Sequence, residues 1–168
     1  TSLGIAICNT PDGPTISTAE HALALILSVS KDLNESQGRL RRQEGNYGPQ
    51  HRAIELDGAS LALIGLGRIG SRVAQFAVAM GMRVTAYDPF EAAERFEDLG
   101  VERASNLHDA VSSAHIVSIH APLTPETRHL VDAELFRQMQ DGVLIVNTAR
   151  GGLIDDHALL AALNSGKV

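Results

Sequence analysis

Three glycines and the residues around them have the spacing of a phosphate-binding turn. Gly65, Gly67 and Gly70 form a Gly-x-Gly-x-x-Gly pattern directly after an apolar run and at the head of a helical pattern. The first glycine of such a turn permits a sharp bend, the second lets the backbone approach a pyrophosphate, and the third lets helix and strand pack closely. The helix that follows offers free N–H groups and the positive end of its dipole to anions. Glycines also occur in ordinary turns, but their position between strand and helix favours a dinucleotide site.

An acidic residue follows at the distance expected for a ribose ligand. Asp88 lies 18 residues beyond Gly70, at the end of the next apolar run. A carboxylate there accepts hydrogen bonds from the adenine ribose hydroxyls and repels a 2′-phosphate, so NAD should be preferred over NADP. The alternative is a solvated turn aspartate before Pro89. Arg68 is the basic group beside the glycine turn, where it either reaches a phosphate or is simply a surface arginine.

The elements that must position these residues alternate regularly along the chain. From Ala59 onward, apolar runs alternate with helical patterns, and the runs are continuous, which is typical of parallel strands covered on both faces. The predicted strands are residues 60–64, 83–87, 101–104, 115–120 and 143–147. The predicted helices are residues 69–80, 91–99, 107–111, 133–139 and 155–164. This order predicts an α/β protein of Rossmann type, with a doubly wound parallel sheet and helices on both faces.

The first part of the chain has a different character. We predict a short strand over residues 5–8 and then a loop, and we interpret residues 1–15 as a remnant of a substrate domain or a hinge. Residues 16–168 are interpreted as the NAD-binding domain, incomplete at its C-terminus. Its first element is a long, largely buried helix that begins near Ser17 or Thr18. Residues 34–57 are expected to form a surface connection that is partly helical.

The composition argues against two classes of partner. With 14 basic and 20 acidic residues and a net charge of −6, the chain lacks the basic surface that nucleic acids and anionic lipids need. The long apolar run over residues 22–27 is far too short to cross a bilayer core of roughly 30 Å. The single cysteine, Cys8, cannot form an internal disulfide, so we expect a cytoplasmic protein in which Cys8 is a buried, inert thiol. We expect no metal site.

Three separated stretches resemble those of the D-isomer-specific 2-hydroxyacid dehydrogenases. They are residues 63–70 with the glycine turn, residues 120–127 (His-Ala-Pro-Leu-Thr-Pro-Glu-Thr) and residues 147–155 (Asn-Thr-Ala-Arg-Gly-Gly-Leu-Ile-Asp), the third being the most specific. Together with the helix around Glu20, the likeness covers nearly the whole chain. The resemblance implies an NAD-dependent oxidoreductase, similar to phosphoglycerate dehydrogenase, that acts on a small 2-hydroxy or 2-keto acid. The family includes glycerate, hydroxypyruvate, lactate and formate dehydrogenases as well, so the substrate stays open.

The resemblance also implies roles for particular residues. In similar proteins the arginine that matches Arg150 grips the substrate carboxylate and the carbonyl that accepts hydride, and a planar guanidinium suits both tasks. Alternatively, Arg150 pairs with Asp155 or Asp156 near the next helix. On the cofactor side, the likeness assigns Arg68 and Ile69 to the pyrophosphate, Asp88 to the ribose, Ala121 and Pro122 to the adenosine side, and Thr148 and Ala149 to the region near the nicotinamide.

Members of this family also use a histidine that exchanges a proton with the substrate oxygen and a glutamate that supports it. Both occur further along the chain than residue 168. Of the seven histidines present, His120 is the one expected at the ligand-facing end of the sheet, in a cofactor-side loop, and His21 is expected on the buried helix. The substrate domain is expected to be largely absent. We therefore expect a portion of a longer enzyme that binds NAD and is inactive by itself.

Two other functions compete with this interpretation. A non-catalytic NAD-sensing dimer, as in transcriptional corepressors that resemble this family, would also bind NAD. A methyltransferase-like domain that binds adenosylmethionine would use a related glycine turn, but residues 148–152 argue against it. A homodimer is expected, because the helix that begins near Thr18 has more apolar surface than one sheet face readily covers.

Overall fold

A five-stranded sheet organises the chain. The structure is a computed structural model that describes residues 4–6, 8–10, 12–44 and 53–168. Its strands are β1 (Ser60–Ile64), β2 (Arg83–Tyr87), β3 (Glu102–Arg103), β4 (Ile116–Ile119) and β5 (Leu144–Asn147). All pair in parallel, in the order β3-β2-β1-β4-β5. The first strand, β1, lies in the middle of the sheet. Strands β2 and β3 extend the sheet to one edge, and β4 and β5 extend it to the other.

The described residues also form seven α-helices. They are α1 (Thr15–Ser30), α2 (Leu33–Arg41), α3 (Arg68–Ala79), α4 (Ala93–Leu99), α5 (Leu107–Val111), α6 (Ala133–Gln138) and α7 (Asp156–Ser165). Asn106, Asp132 and Asp155 begin α5, α6 and α7, and each side chain accepts a hydrogen bond from a backbone N–H of the first turn. Such caps satisfy donors that the helix itself leaves unpaired.

The two faces of the sheet carry separate apolar cores. Alternate residues of β1 point in opposite directions, so Leu61 and Leu63 pack with α1, α3 and α4, whereas Ala62 and Ile64 pack with α5, α6 and α7. Four of the five residues of β1 are buried, as its continuous apolar sequence requires. The Rossmann-type, doubly wound α/β fold predicted from the sequence is therefore confirmed.

The predicted elements from residue 59 onward are all present, with ends that differ by at most two residues. The shortest strand, β3, covers only Glu102 and Arg103 because it lies at the edge of the sheet and pairs with β2 alone. Part of the predicted surface connection is helix α2, and residues 45–52 lie outside the described residues. The connection returns to the core at Ile54, whose N–H donates to Ser30 O at 2.8 Å.

Three expectations for the first part of the chain were wrong. Residues 4–6 and 8–10 form no strand because they are exposed to solvent and lie outside both apolar cores, and Cys8 is exposed with them. Helix α1 is not largely buried, since only Ala19, Ala22, Ile26 and Ser30 are inaccessible along one stripe. His21 lies off that stripe and is exposed. Among the described residues, no helix is long and apolar enough to cross a membrane.

Candidate dinucleotide site

The glycine turn lies at the carboxyl end of β1, between β2 and β4. Gly65 donates its N–H to Tyr87 O at 2.9 Å, and His120 donates its backbone N–H to Ile64 O at 2.7 Å. The φ of Gly65 is +98°, and a Cβ at this residue would lie 2.9 Å from the carbonyl carbon of His120. Both the backbone conformation and the close approach to the loop after β4 therefore require glycine here.

The other two glycines serve different purposes. A Cβ at Gly70 would lie 2.2 Å from Gly65 O, so the absence of a side chain is what lets α3 begin directly against the turn. At Gly67 a Cβ would have nothing within 4 Å, and the backbone is extended with φ −63°. The turn is therefore packed tightly on the protein side at Gly70 and open on the outer side at Gly67.

The open side of the turn, at Gly67, lies at the start of helix α3. Gly67 is its N-cap residue, and no side chain caps the helix. The first N–H groups of Arg68, Ile69 and their neighbours are therefore left to a ligand, and they stand at the positive end of a helix of 12 residues. This arrangement suits two adjacent phosphates. Arg68 itself is exposed and pairs with Asp12 at 3.4 Å.

Asp88 is fixed beside the turn. Its Oδ2 accepts a hydrogen bond from the N–H of Leu66 at 2.8 Å, and its Oδ1 accepts one from the N–H of Phe90 at 3.0 Å. The carboxylate is half-buried and retains lone pairs for further donors. The solvated-turn alternative accounts for the Phe90 contact but not for the link back to Leu66, inside the glycine turn. The aspartate and the turn therefore form one unit.

The loop after β4 forms the next wall. Ala121 is half-buried and Pro122 is exposed, and Pro122 O accepts from Thr127 Oγ1 at 2.6 Å. His120 is half-buried with Nε2 2.9 Å from Ser118 Oγ, and burial lowers the pKa of its imidazole to about 4. His120 is therefore a neutral packing residue behind the turn.

Arg150 lies just past the carboxyl end of β5. Its guanidinium is exposed and donates to the neighbouring Ala149 O at 2.8 Å. Asp155 does not pair with it, because this carboxylate caps α7 by accepting from the N–H groups of His157 and Ala158. Those backbone hydrogen bonds, with Ala158 contributing most, lower the pKa of Asp155. Among the described residues, Arg150 forms no ion pair with Asp155 or Asp156, so its charge is available to a ligand.

Asn147, which was not predicted as a site residue from the sequence, shapes this loop. Asn147 accepts a hydrogen bond from the N–H of Ala149 at 3.0 Å and donates through Nδ2 to Arg150 O at 2.9 Å. Its side chain thus closes the turn that presents Arg150. The signal was available, because an asparagine at the end of a strand often bonds to the backbone two residues further on.

The loop lines an open cleft of about 490 Å³ together with the start of α1. Thr148 and Ala149 are half-buried in its wall, and Thr148 Oγ1 is buried with no hydrogen-bond partner among the described residues. The opposite wall consists of Ser17, Thr18, His21 and Leu25. The sequence could not indicate this wall, because it depends on how α1 packs across β5. No group of ligands for a metal ion occurs in the described part of the chain.

These features were compared with known proteins. Residues 23–168 match the model for the NAD-binding domain of the D-isomer-specific 2-hydroxyacid dehydrogenases. The chain belongs to this family. The match spans the glycine turn, Asp88 and the Arg150 loop, so the resemblance inferred from three short stretches is confirmed over most of the chain.

Curated relatives of this chain include D-3-phosphoglycerate dehydrogenases. Those of Methanocaldococcus jannaschii and Bacillus subtilis are 40% and 41% identical over 168 residues, which is 100% of this chain but 32% of each relative. The solved D-lactate dehydrogenase of Aquifex aeolicus, in complex with NAD and lactic acid, is 36% identical with a TM-score of 0.91, and 99% of this chain covers 49% of it. The solved D-mandelate dehydrogenase of Rhodotorula graminis is 35% identical with a TM-score of 0.88, and 99% of this chain covers 51% of it. The chain thus spans about a third of these curated relatives and about half of these solved chains.

NAD fits the residues of this NAD-binding domain. The open face of Gly67 and the uncapped start of α3 leave room and donors for the pyrophosphate, and Asp88 supplies a fixed acceptor beside them. The cleft at Arg150 lies beyond the carboxyl end of β5, at the same edge of the sheet. Ligands of open α/β sheets bind at this edge.

Proposed function

We propose that this chain is the cofactor-binding part of an NAD-dependent dehydrogenase that moves a hydride between nicotinamide and a small 2-hydroxy or 2-keto acid. One observation carries the proposal. The guanidinium of Arg150, which forms no ion pair with any described residue, lines a cleft at the sheet edge that also holds the glycine turn and Asp88. A dinucleotide site and an anion anchor on one edge suit a reaction between a dinucleotide and a carboxylic acid.

Each part of the site then has a task. The glycine turn with Gly65, Gly67 and Gly70, together with Arg68 and Ile69, holds the pyrophosphate, which displaces Arg68 from its exposed pair with Asp12. Asp88 holds the adenosine ribose, and Ala121 and Pro122 lie on the adenosine side. Thr148 and Ala149 contact the cofactor near the nicotinamide, which supplies or accepts the hydride when bound.

Arg150 is the proposed catalytic residue. A guanidinium binds a carboxylate through two charged hydrogen bonds and stabilises the negative charge that grows on a carbonyl oxygen during reduction. The curated relatives act on 3-phosphoglycerate, and the solved neighbours are named for lactate and mandelate. All three acids carry a carboxylate beside a hydroxyl-bearing carbon. We propose a substrate of this class, with 3-phosphoglycerate as the first to test.

The cofactor proposal is tested by titrating the chain with NADH while following nicotinamide fluorescence, for the wild type and for Asp88→Ala. We expect loss of NADH affinity of about tenfold or more, because a charged hydrogen-bond acceptor is removed. Asp98→Ala, which removes an exposed carboxylate from α4, is the matched control and should bind as the wild type does. Equal affinity of both variants and the wild type would contradict the role of Asp88.

The substrate proposal is tested on the protein that carries this segment, by following NADH oxidation with phosphohydroxypyruvate, pyruvate and hydroxypyruvate. Arg150→Gln should abolish turnover while leaving NADH affinity within twofold. Turnover that persists in this variant would show that Arg150 does not hold the substrate. Turnover that is absent in the wild type with all three acids, despite NADH binding, would favour the NAD-sensing alternative.

We also propose a homodimer that forms through α1 and α2. Four large apolar side chains on these helices are exposed, namely Ile16, Val29, Leu33 and Leu40, the last at 69%. Contiguous exposed apolar patches mark interaction surfaces, and α1 and α2 contact each other, so we propose that these side chains form one such patch. Sedimentation should give twice the chain mass, and Leu40→Asp together with Val29→Asp should give the monomer. A monomeric wild type at micromolar concentration would refute this assembly.

Two further proposals concern location and domain boundaries. The free, exposed thiol of Cys8 suits a reducing compartment, and we propose the cytoplasm. We propose residues 16–168 as the cofactor domain and residues 1–15 as a remnant of a substrate domain or a hinge. Ala19 of α1 is fully buried in the core, whereas Ile5 is 60% exposed. Limited proteolysis should therefore cut before α1 and leave the cofactor domain intact.

A further inference from the structure

A second cleft lies beyond the carboxyl ends of β2 and β3, next to the glycine turn. Its volume is about 450 Å³, and it is lined by Tyr87, Asp88, Pro89, Arg103, Ala104 and Ser105. Asp88 and Arg103 are its two charged residues. Since Asp88 is the proposed ribose ligand, this cleft is where the adenosine half of a dinucleotide would lie. It therefore offers that ribose one anion and one cation.

The cation is held on the wall of the cleft. Arg103 is a β3 residue that pairs in register with Ala86 of β2, and its guanidinium carbon lies 5.2 Å from the ring centre of Phe96. Phe96 is only 2% exposed, so the ring is a fixed platform for the guanidinium. Among the described residues, no carboxylate forms an ion pair with Arg103. Its charge and its donors are therefore free for a ligand.

We propose that Arg103 is a cofactor-specificity residue, the cation that receives a phosphate on the 2′-oxygen of the adenosine ribose. The inference rests on the proposed ribose role of Asp88. Asp88 repels a 2′-phosphate, whereas a guanidinium binds a phosphate through charged, paired hydrogen bonds. The two residues therefore act in opposite directions on NADP(H), and the domain rejects it less strongly than Asp88 alone would.

The relative strength of the two effects follows from how each group is held. Asp88 is anchored by the N–H groups of Leu66 and Phe90, so its carboxylate stays beside the ribose, whereas Arg103 is exposed and partly screened by water. NADH is therefore the preferred cofactor of the wild type. When the Asp88 carboxylate is removed, Arg103 is the remaining charged residue of the cleft, so the cofactor preference should move toward NADPH.

The test compares four proteins, namely the wild type, Asp88→Ser, Arg103→Gln and the double variant. The dissociation constants of NADH and NADPH are measured by fluorescence titration at low salt. Arg103→Gln should weaken NADPH about three- to fivefold, the effect of one partly exposed charge pair, and leave NADH within twofold. In the Asp88→Ser background the same change should cost NADPH about tenfold, because the repulsion no longer holds the phosphate away. Arg103→Lys should keep part of the NADPH affinity.

Controls separate the specific effect from charge alone. Arg83→Gln removes an exposed arginine at the opposite end of β2 and should change neither dissociation constant. Urea unfolding shows whether loss of the Phe96 contact changes stability. If Arg103→Gln weakens NADH and NADPH by the same factor in both backgrounds, Arg103 serves the fold or general attraction and the proposal is wrong.

The smaller nucleotides ADP and 2′,5′-ADP distinguish failure of this inference from failure of the proposed function. They test the adenosine cleft without the nicotinamide half. Binding of ADP and NADH without any Arg103-dependent gain from the 2′-phosphate would overturn only the role of Arg103. Binding of none of these ligands would overturn both the cofactor role and the inference that rests on it.

Discussion

Two glycines of the turn should respond to the same substitution in opposite ways. Gly67→Ala adds a methyl group where nothing lies within 4 Å, at a backbone conformation that alanine adopts without strain. Gly70→Ala adds the same group 2.2 Å from Gly65 O. The first change alters the space for a ligand and the second alters the packing of the protein. The pair therefore separates binding from folding with a single chemical change.

The magnitudes follow from these distances. An unstrained Gly→Ala substitution stabilises by about 0.4–1 kcal/mol because it restricts the unfolded chain, so Gly67→Ala should be as stable as the wild type or slightly more so. At Gly70 the contact is about 1 Å shorter than carbon and oxygen tolerate, and the backbone oxygen cannot rotate away. Overpacking of this kind costs about 1–3 kcal/mol. Gly67→Ala should nevertheless lose NADH affinity at least tenfold, because its methyl group occupies the proposed place of the pyrophosphate.

Urea unfolding and NADH titration of the two variants provide the assay. We expect Gly67→Ala to unfold at the wild-type midpoint or above and to bind NADH poorly. Gly70→Ala should unfold at lower urea and also bind poorly. If Gly67→Ala binds NADH as the wild type does, the pyrophosphate does not lie against this turn. If Gly70→Ala keeps wild-type stability, the close approach of α3 to Gly65 O does not require glycine at this residue.

Three further changes test other parts of the site. Arg150→Lys keeps the charge but loses the paired hydrogen bonds, so kcat/KM for the 2-keto acid should fall about 10²-fold or more while the dissociation constant of NADH stays within twofold. Asn147→Ala removes both hydrogen bonds that close the Arg150 loop and should lower the free energy of unfolding by about 1–2 kcal/mol in urea, whereas Asn147→Asp should retain the acceptor for Ala149 and lose less. Burial holds the pKa of His120 near 4, below its unfolded value of 6.5, so unfolding takes up a proton between these pH values and stability falls as the pH drops. From pH 7 to pH 5 the free energy of unfolding should fall by about 2 kcal/mol at most. His120→Gln should remove this pH dependence. His108→Gln, which changes an exposed histidine, should leave it unchanged.

The sequence predicted the elements that depend on local pattern. Strand β1 was predicted to the residue because Leu61–Ile64 is a continuous apolar run bounded by a glycine turn, and both faces of it are buried. Asp88 and the glycines were identified as one site because the chain order strand, turn, helix, strand fixes their relative positions. In these cases the local sequence alone determines the structure.

Other features depend on contacts between distant segments, which no local pattern encodes. The wall formed by Ser17, Thr18 and His21 exists because α1 packs across β5, more than 100 residues later in the chain. The apolar composition of α1 predicted a largely buried helix, whereas the way α1 packs covers only one stripe of it. The exposure of Cys8 has a related cause, since the described residues around it lie outside both apolar cores.

The two halves of the proposed site differ in how they depend on the fold. The pyrophosphate half consists of backbone N–H groups and missing side chains, so it exists wherever β1, the turn and α3 are in place. The substrate half depends on one guanidinium, held by a loop that Asn147 closes. A substitution at Arg150 should therefore remove the reaction and spare the cofactor, whereas a methyl group at Gly67 should remove both. This asymmetry explains how a family can bind one cofactor and act on different acids, because the substrate can change at a few side chains while the turn cannot.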